Sequence, residues 1–346
     1  MTMKINTIGI IFISLMALAS VADAGCSCGG GNWDPSAFLN TEDGTGHSEK
    51  HGSAEDSATG NSGSGAQEPV DRVASFPNGA LFKAMKSVSS SDVVIDVSNE
   101  NSYLVSHIKN AIHIPGKDFL NSAGSLKTEE ELARILGDAG LSRDDSVVLY
   151  AGKESSGEAE FAFLVLRYLG QKDVRLLDGS LADWKAAGLP EEAFEKVLPE
   201  SEYKPSLRSD VIAEYQYVKS GQAQIIDVRP FIEFGKGRIP GSIALDPSNV
   251  IKGDKIKTGK DLSTVFSRLD KEKPIVVYSD DYSRSALAAF ALQLMGYKAG
   301  IYTWEDWKAH EASEEKAEGA QVQAQSGTAL AAGDDAGSKY TKLGTT

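Results

Sequence analysis

The chain has 346 residues, enough for two domains of ordinary size, and its 41% hydrophobic and 8% aromatic content suits a globular protein. A net charge of −14 argues against a nucleic-acid partner, because phosphate binding requires clustered lysines and arginines. The 34 glycines indicate flexible segments beside the globular part.

An export signal is predicted over residues 1–24. Lys4 supplies its positive end, the run IGIIFISLMALAS its apolar stretch, and residues 22–24 (ADA) a cleavage site of the small-x-small type. The apolar run is short for a membrane span. We therefore expect an extracytoplasmic protein, in a bacterial periplasm or outer envelope.

The only two cysteines, Cys26 and Cys28, follow this cleavage site and allow two interpretations. Ala24 and Gly25 resemble the end of a bacterial lipoprotein signal, so Cys26 would carry a lipid and provide the only membrane contact. Asp23 counts against that signal, which prefers an aliphatic residue there. Cleavage after Ala24 would instead leave a soluble protein with a Cys-x-Cys pair near its N-terminus.

Two low-complexity segments flank the centre of the chain. Residues 25–69 are rich in glycine, serine and acidic residues, show no apolar period, and are predicted to form a flexible tether. Residues 313–346 are also poor in large apolar side chains. We expect a disordered tail there, whose first part can extend a helix briefly.

The centre of the chain repeats itself. In both copies an apolar run ends in Ile-Asp-Val, and short apolar runs then alternate with helical patterns. This predicts a duplicated α/β domain, each copy a parallel sheet flanked by helices, over residues 70–195 and 205–312. The paired segments are 93–115 with 224–247, 146–153 with 274–281, and 182–188 with 305–310.

Local signals support these elements. Thr128 and Glu131 form a predicted capping box, and Gly140 can end the helix that follows it. A charged segment with three prolines, residues 188–206, suits the connection between the domains. His107 and His113 lie around a predicted strand end, where ordinary structural contacts are expected.

One stretch of the second copy, VVYSDDYSRS, predicts a strand, a polar loop and a helix. This arrangement can aim backbone N–H groups at a thiolate or a bound anion. The corresponding loop of the first copy begins at Ala151. The candidate binding loop of the second copy consists of Ser279, Asp280, Asp281, Tyr282, Ser283, Arg284 and Ser285.

The repeated unit resembles the rhodanese family. Residues 227–229 (DVR), Phe234 and residues 237–242 (GRIPGS) resemble its N-terminal signature, and residues 178–179 (DG) with Trp184 resemble its C-terminal signature. The resemblance covers both copies. It implies tandem rhodanese domains, an arrangement known from thiosulfate and mercaptopyruvate sulfurtransferases, in which the second domain normally holds a catalytic cysteine.

The resemblance also implies a mechanism. The family's loop begins with cysteine and closes with arginine, and its amides stabilise a thiolate and then a persulfide. Here Ser279 and Ala151 stand at the cysteine positions, and Arg284 matches the closing arginine. A persulfide requires sulfur, which neither serine nor alanine supplies. Asp280 and Asp281 also follow Ser279 directly, and each carboxylate, about 6 Å away, would repel an anionic sulfur donor by about 3 kcal/mol at an effective dielectric near 20. We therefore assign no catalytic residue.

Other chemistry for this loop is less favoured. Asp280 and Asp281 could ligate a hard cation, but a solvated loop with one aspartate paired to Arg284 is the preferred interpretation. A serine hydrolase is disfavoured because no histidine lies near Ser279 in the sequence. We expect no metal and no cofactor.

Two functions stay open. The first is a non-catalytic binding or scaffold module of the cell envelope, whose partner is another envelope protein, such as a redox or sulfur-handling one. The second is a sulfurtransferase of the thiosulfate or 3-mercaptopyruvate type, or a sulfur or redox carrier, whose sulfur sits on Cys26 or Cys28.

Overall fold

A computed structural model describes residues 72–333, with side chains described as far as residue 321. The predicted export signal, Cys26, Cys28 and the predicted tether lie outside the described residues. So do residues 334–346.

The first domain is built on a sheet of five parallel strands in the order β1-β6-β5-β2-β4. A short antiparallel pair, β3 with β7, lies beside it. The strands are β1 (Phe82–Lys83), β2 (Asp92–Asp96), β3 (His107–Ile108), β4 (Ile112–His113), β5 (Ser146–Tyr150), β6 (Asp173–Leu177) and β7 (Glu191–Glu192). The helices are α1 (Glu100–Val105), α2 (Glu129–Asp138), α3 (Glu158–Tyr168) and α4 (Leu181–Ala186).

The second domain repeats the plan with four parallel strands in the order β13-β12-β8-β9, and β10 and β11 form a separate hairpin. The prediction of two tandem parallel α/β domains is confirmed. The strands are β8 (Gln224–Asp227), β9 (Ile243–Ala244), β10 (Ile251–Lys252), β11 (Lys255–Ile256), β12 (Ile275–Ser279) and β13 (Ala299–Thr303). The helices are α5 (Tyr215–Lys219), α6 (Phe231–Lys236), α7 (Gly259–Val265), α8 (Tyr282–Leu294) and α9 (Trp304–Gly333).

The helix boundaries follow from the capping signals. The side chain of Thr128 accepts a hydrogen bond from the backbone N–H of Glu131, and the Glu131 side chain accepts one from the N–H of Thr128, so the predicted capping box is confirmed. Gly140 has φ +84°, the left-handed conformation that glycine adopts most easily after a helix.

The two domains share one hydrophobic core. The helices α3 and α8 are apolar on nearly all faces, and they pack against each other between the two sheets. The ring of Phe290 in α8 lies edge-on to Phe163 and Phe82 of the first domain, with centroids 5.1 and 5.4 Å apart. Smaller clusters around Trp184 and Trp307 cover the outer faces. Both domains therefore belong to one compact unit.

The C-terminal helix α9 runs into the predicted tail, whose first part is expected to extend a helix. The predicted tail begins at Ser313, and α9 ends at Gly333. About three turns into α9, Glu314 accepts hydrogen bonds from the Tyr215 hydroxyl at 2.8 Å and from Lys219 Nζ at 2.6 Å, which tie the helix to α5. The segment is rich in alanine, glutamate and lysine, residues of high helix propensity that support this extension of the helix. No helix within residues 72–333 is long and apolar enough to cross a bilayer.

One ionisable side chain lies inside the interface between the domains. Glu160 of α3 is 0% exposed, and neither carboxylate oxygen has a hydrogen-bond partner among the described residues. Burial, together with the charge of Glu154, raises the pKa of Glu160 well above the usual value for a glutamate. The folded protein therefore keeps a proton there that the unfolded chain releases above its ordinary pKa.

Replacing Glu160 by glutamine should stabilise the protein at neutral pH. A pKa raised in the folded state makes the free energy of unfolding fall, by at most about 1.4 kcal/mol per pH unit, as pH rises above the ordinary pKa of glutamate, whereas glutamine has no proton to release. Urea unfolding of both proteins at pH 4 and pH 7 measures this. We expect the advantage of Glu160→Gln at pH 7 to vanish near pH 4. An advantage of equal size at both pH values would contradict a protonated Glu160.

Candidate active-site loops

The two candidate loops leave their sheets at equivalent points. The strands β5 and β12 bring Tyr150 and Tyr278 to the same position, one residue before Ala151 and Ser279. Each tyrosine hydroxyl accepts a hydrogen bond from a backbone N–H of its own domain, Tyr150 from Ile108 at 3.0 Å and Tyr278 from Ile239 at 3.1 Å. The two loops thus start from equivalent positions, although the first contains a 3-10 turn, Glu154–Ser156, before α3, whereas the second enters α8 three residues after Ser279.

The Asp-Val-Arg segment fixes the strand next to the second loop. Asp227 accepts hydrogen bonds from the backbone N–H of Arg229 at 2.9 Å and from its Nε and Nη2 at 3.0 and 2.6 Å, with both side chains almost fully buried. Asp227 also accepts a bond from the Tyr278 hydroxyl. Burial, with that bond to the carboxylate, raises the pKa of Tyr278 to about 12. In the first domain the equivalent partner of Asp96 is the neutral Ser98.

Ser279 does not face an open pocket. Its residue is 0% exposed, and its hydroxyl donates to Asp280 Oδ1 at 3.0 Å. Arg284 Nη1 donates to the same carboxylate oxygen at 2.8 Å and to Ser279 Oγ at 3.4 Å. The interpretation in which one aspartate pairs with Arg284 is confirmed for Asp280. The closing arginine is therefore neutralised within its own loop.

Asp281 occupies the start of the following helix. Its side chain accepts the backbone N–H of Ser283 at 2.8 Å and caps α8. A carboxylate at this position is stabilised by the helix dipole, which in the rhodanese mechanism would stabilise a thiolate. Ser285 is buried and donates to the carbonyl of Tyr282 at 3.0 Å. The guanidinium of Arg284 and the N-terminus of α8, the two groups that would stabilise an anion here, are thus already paired with Asp280 and Asp281.

The remaining loop residue of note, Tyr282, packs against the first domain. Its ring stacks on Phe161 with centroids 5.1 Å apart, and burial raises the pKa of its hydroxyl. Tyr282 therefore acts as a contact between the two domains.

The first loop is closed by the second domain. Ala151 is buried and offers no nucleophile. Glu154 accepts a hydrogen bond from Arg72 Nη1 at 3.0 Å and another from the backbone N–H of Ile256 at 2.9 Å. Gly157 has φ +74°, and a Cβ there would lie 2.2 Å from the carbonyl oxygen of Ser283. Sequence reasoning missed this contact between the two loops, because no local pattern encodes it.

The histidines of the first domain make structural contacts, as predicted. His107 Nδ1 lies 2.8 Å from the carbonyl of Tyr103, and His113 Nε2 lies 2.8 Å from that of Ser98. The Tyr103 ring is stacked between the two imidazoles. Among residues 72–333, no group of three or more histidine, cysteine, aspartate or glutamate side chains is arranged to hold a metal ion.

Comparison with known proteins agrees with this architecture. The model of the rhodanese-like domain matches residues 80–187 and 214–310. The chain is 29% identical over 234 residues to the sulfur carrier protein TtuD of Thermus thermophilus, covering 56% of this chain and 82% of that protein. It is 29% identical over 242 residues to a thiosulfate sulfurtransferase of Corynebacterium glutamicum, covering 61% and 80%.

A solved structure supports the same fold. The crystal structure of the 3-mercaptopyruvate sulfurtransferase SseA from Escherichia coli superposes with a TM-score of 0.59 at 22% identity, covering 64% of this chain and 97% of SseA. The family matches fall on both copies of the internal repeat. The chain therefore belongs to the rhodanese-like domain family and carries two such domains in tandem.

Proposed function

We propose that the protein is an exported binding or scaffold module of the cell envelope, whose two rhodanese-like loops do not transfer sulfur. The observation that carries this proposal is the state of the second loop, where Asp280 neutralises Arg284 and Asp281 caps α8. A thiolate or persulfide needs both of those positive groups. With serine and alanine at the loop starts, neither domain holds a sulfur nucleophile there.

An exposed apolar surface supports a binding role. Phe231 and Ile232 of α6 are 60% and 72% exposed, and this helix follows β8 at the carboxyl edge of the second sheet. Large apolar side chains exposed together are often sites of protein contact. The partner we propose is another envelope protein, of a redox or sulfur-handling type, with membrane contact only through a lipid on Cys26.

The proposal is tested by measuring thiocyanate formation from thiosulfate and cyanide with the purified mature protein. We expect no rate above the uncatalysed reaction, because neither loop can hold a persulfide. The matched control is the Cys26→Ser/Cys28→Ser variant, which removes all sulfur nucleophiles from the chain. Turnover that persists in this variant would refute the assignment of both loops as inactive.

A second candidate function is a sulfur carrier that uses the Cys-x-Cys pair. The relative from Thermus thermophilus is named a sulfur carrier protein, and a neighbouring thiol pair can accept sulfane sulfur. Under this function, turnover is present in the wild-type protein and lost in Cys26→Ser/Cys28→Ser. Mass analysis of the mature N-terminal peptide then separates an added sulfur atom from a lipid on Cys26.

A further inference from the structure

We propose that a cleft at the far end of the second sheet from the loops binds a small organic oxyanion through Arg167, while Arg208 neutralises Asp210 beside it. The cleft has a volume of about 600 Å³ and lies where β12 and β13 begin, whereas Ser279 stands where β12 ends. Its walls come from both domains. A cleft of this size suits a small-molecule ligand.

Arg167 is the central feature of this cleft. It lies in the last turn of α3, with its guanidinium carbon 5.5 Å from the centroid of Phe163. Its Nε is buried and has no hydrogen-bond partner among the described residues, and no ion pair to Arg167 occurs within them. An unpartnered buried donor is destabilising, so a ligand that accepts from it gains binding energy.

A second arginine is held beside the first. The backbone N–H of Arg208 donates to the carbonyl of Tyr168 at 2.9 Å, which ties Arg208 to the end of α3. Arg208 pairs with Asp210 through two hydrogen bonds, Nε to Oδ1 at 3.2 Å and Nη2 to Oδ2 at 2.8 Å, so it neutralises that carboxylate and leaves Arg167 as the cleft arginine without an ion pair among the described residues. Burial and the charge of Arg208 lower the pKa of Arg167, and Asp210 only partly opposes them. An anion in the cleft would relieve this repulsion.

The whole lining favours a negatively charged ligand with an apolar body. Lys298 adds a third cation, while the carboxylates are those of Asp210 and Glu214, so cations exceed acids in a chain whose net charge is −14. Tyr217, Tyr297, Leu81 and Val211 supply the apolar wall.

The side chain of Gln293 on the cleft wall favours a ligand that carries a hydrogen-bond donor. The side-chain nitrogen of Gln293 donates to the carbonyl of Ala299 at 2.7 Å, and its Oε1 is buried with no partner among the described residues. This oxygen can accept from a ligand donor. The ligand class is therefore an organic phosphate or carboxylate, recognised by its oxyanion and carrying a hydrogen-bond donor on its body.

Isothermal titration of the mature full-length protein with 4-hydroxyphenyl phosphate, 4-hydroxybenzoate and inorganic phosphate tests this inference, since both organic probes carry the same hydroxyl donor. We expect saturable binding of at least one organic probe, weakened at least tenfold in Arg167→Gln, because a charge-assisted bond is lost. Arg208→Gln should weaken it as well, because it leaves the carboxylate of Asp210 unpaired in the cleft, where it would repel the anion. Binding of 4-hydroxyphenyl phosphate without binding of 4-hydroxybenzoate would assign the site to phosphates, and the reverse to carboxylates.

The matched control is Arg175→Gln, which removes an exposed arginine paired with Asp173 in the first domain. It should leave the affinity unchanged. Circular dichroism checks that each variant is folded; should Arg167→Gln fail to fold, Arg208→Gln decides the question. No binding of any probe at millimolar concentration, or equal affinity in the arginine variants and the wild type, would overturn the proposal. The outcome does not depend on whether the loops transfer sulfur.

Discussion

A chain carrying both Ser279→Cys and Asp280→Gly should transfer sulfur from thiosulfate to cyanide on the order of 100-fold faster than the Ser279→Cys variant. The single change supplies a thiol, but Asp280 remains next to it and keeps Arg284 paired at 2.8 Å. Removing Asp280 eliminates a repulsion of about 3 kcal/mol, equivalent to a factor of about 100 in rate. It also frees Arg284 to face the sulfur anion.

Asp281 should be left in place in this experiment. Its side chain caps α8, and removing the cap would destabilise the helix that carries Arg284. The initial rate of thiocyanate formation is the measurement, made in a Cys26→Ser/Cys28→Ser background so that the new thiol is the only one.

A charge-matched control shows whether the rate depends on the carboxylate beside the new thiol or on the net charge of the protein. Ser279→Cys combined with Asp144→Gly changes the net charge equally, but Asp144 is an exposed partner of Lys172 in the first domain. This control should behave like Ser279→Cys alone. If Ser279→Cys alone reached the rate of the double variant, repulsion by Asp280 would not limit sulfur transfer at this loop.

The second large effect concerns the buried ion pair beside the loop. Asp227→Asn should lower the free energy of unfolding by about 3–5 kcal/mol, since it leaves the charge of Arg229 buried without a counter-ion. The side chains of Asp227 and Arg229 are 0% and 2% exposed, and Arg229 also lies 4.1 Å from the ring centroid of Trp304. Urea unfolding at pH 7 measures the loss.

The duplicated domain provides its own control. Asp96 occupies the equivalent position in the first domain, but its partner Ser98 is neutral. Asp96→Asn should therefore cost only about 1 kcal/mol, in the range of an ordinary hydrogen bond. Equal losses in the two variants would show that the charge of Arg229 is not what makes Asp227 important.

Much of the fold is predictable from local sequence patterns. Alternating apolar runs and helical periods predict the parallel sheets, the internal repeat predicts the duplication, and the capping box at Thr128 predicts the start of α2. The pairing of an aspartate with Arg284 is also predictable, because the loop before α8 places two carboxylates within four residues of that arginine.

The contacts between the domains could not be predicted in this way. The apolar character of α3 and α8 on all faces indicates burial but does not specify that they bury each other. The bond from Ile256 to Glu154 joins residues 102 positions apart, and only the folded chain brings them together. The burial of Glu160 has the same origin, since a glutamate in a first helical turn is ordinarily exposed.

The contact between Gly157 and the carbonyl of Ser283 restricts how the two copies can diverge. After a duplication, each copy could in principle accumulate substitutions independently. Here a side chain at position 157 would collide with the backbone of the other copy, so the choice of residue in one half depends on the path of the main chain in the other. Loss of chemistry in either half therefore leaves the glycine under the same steric requirement.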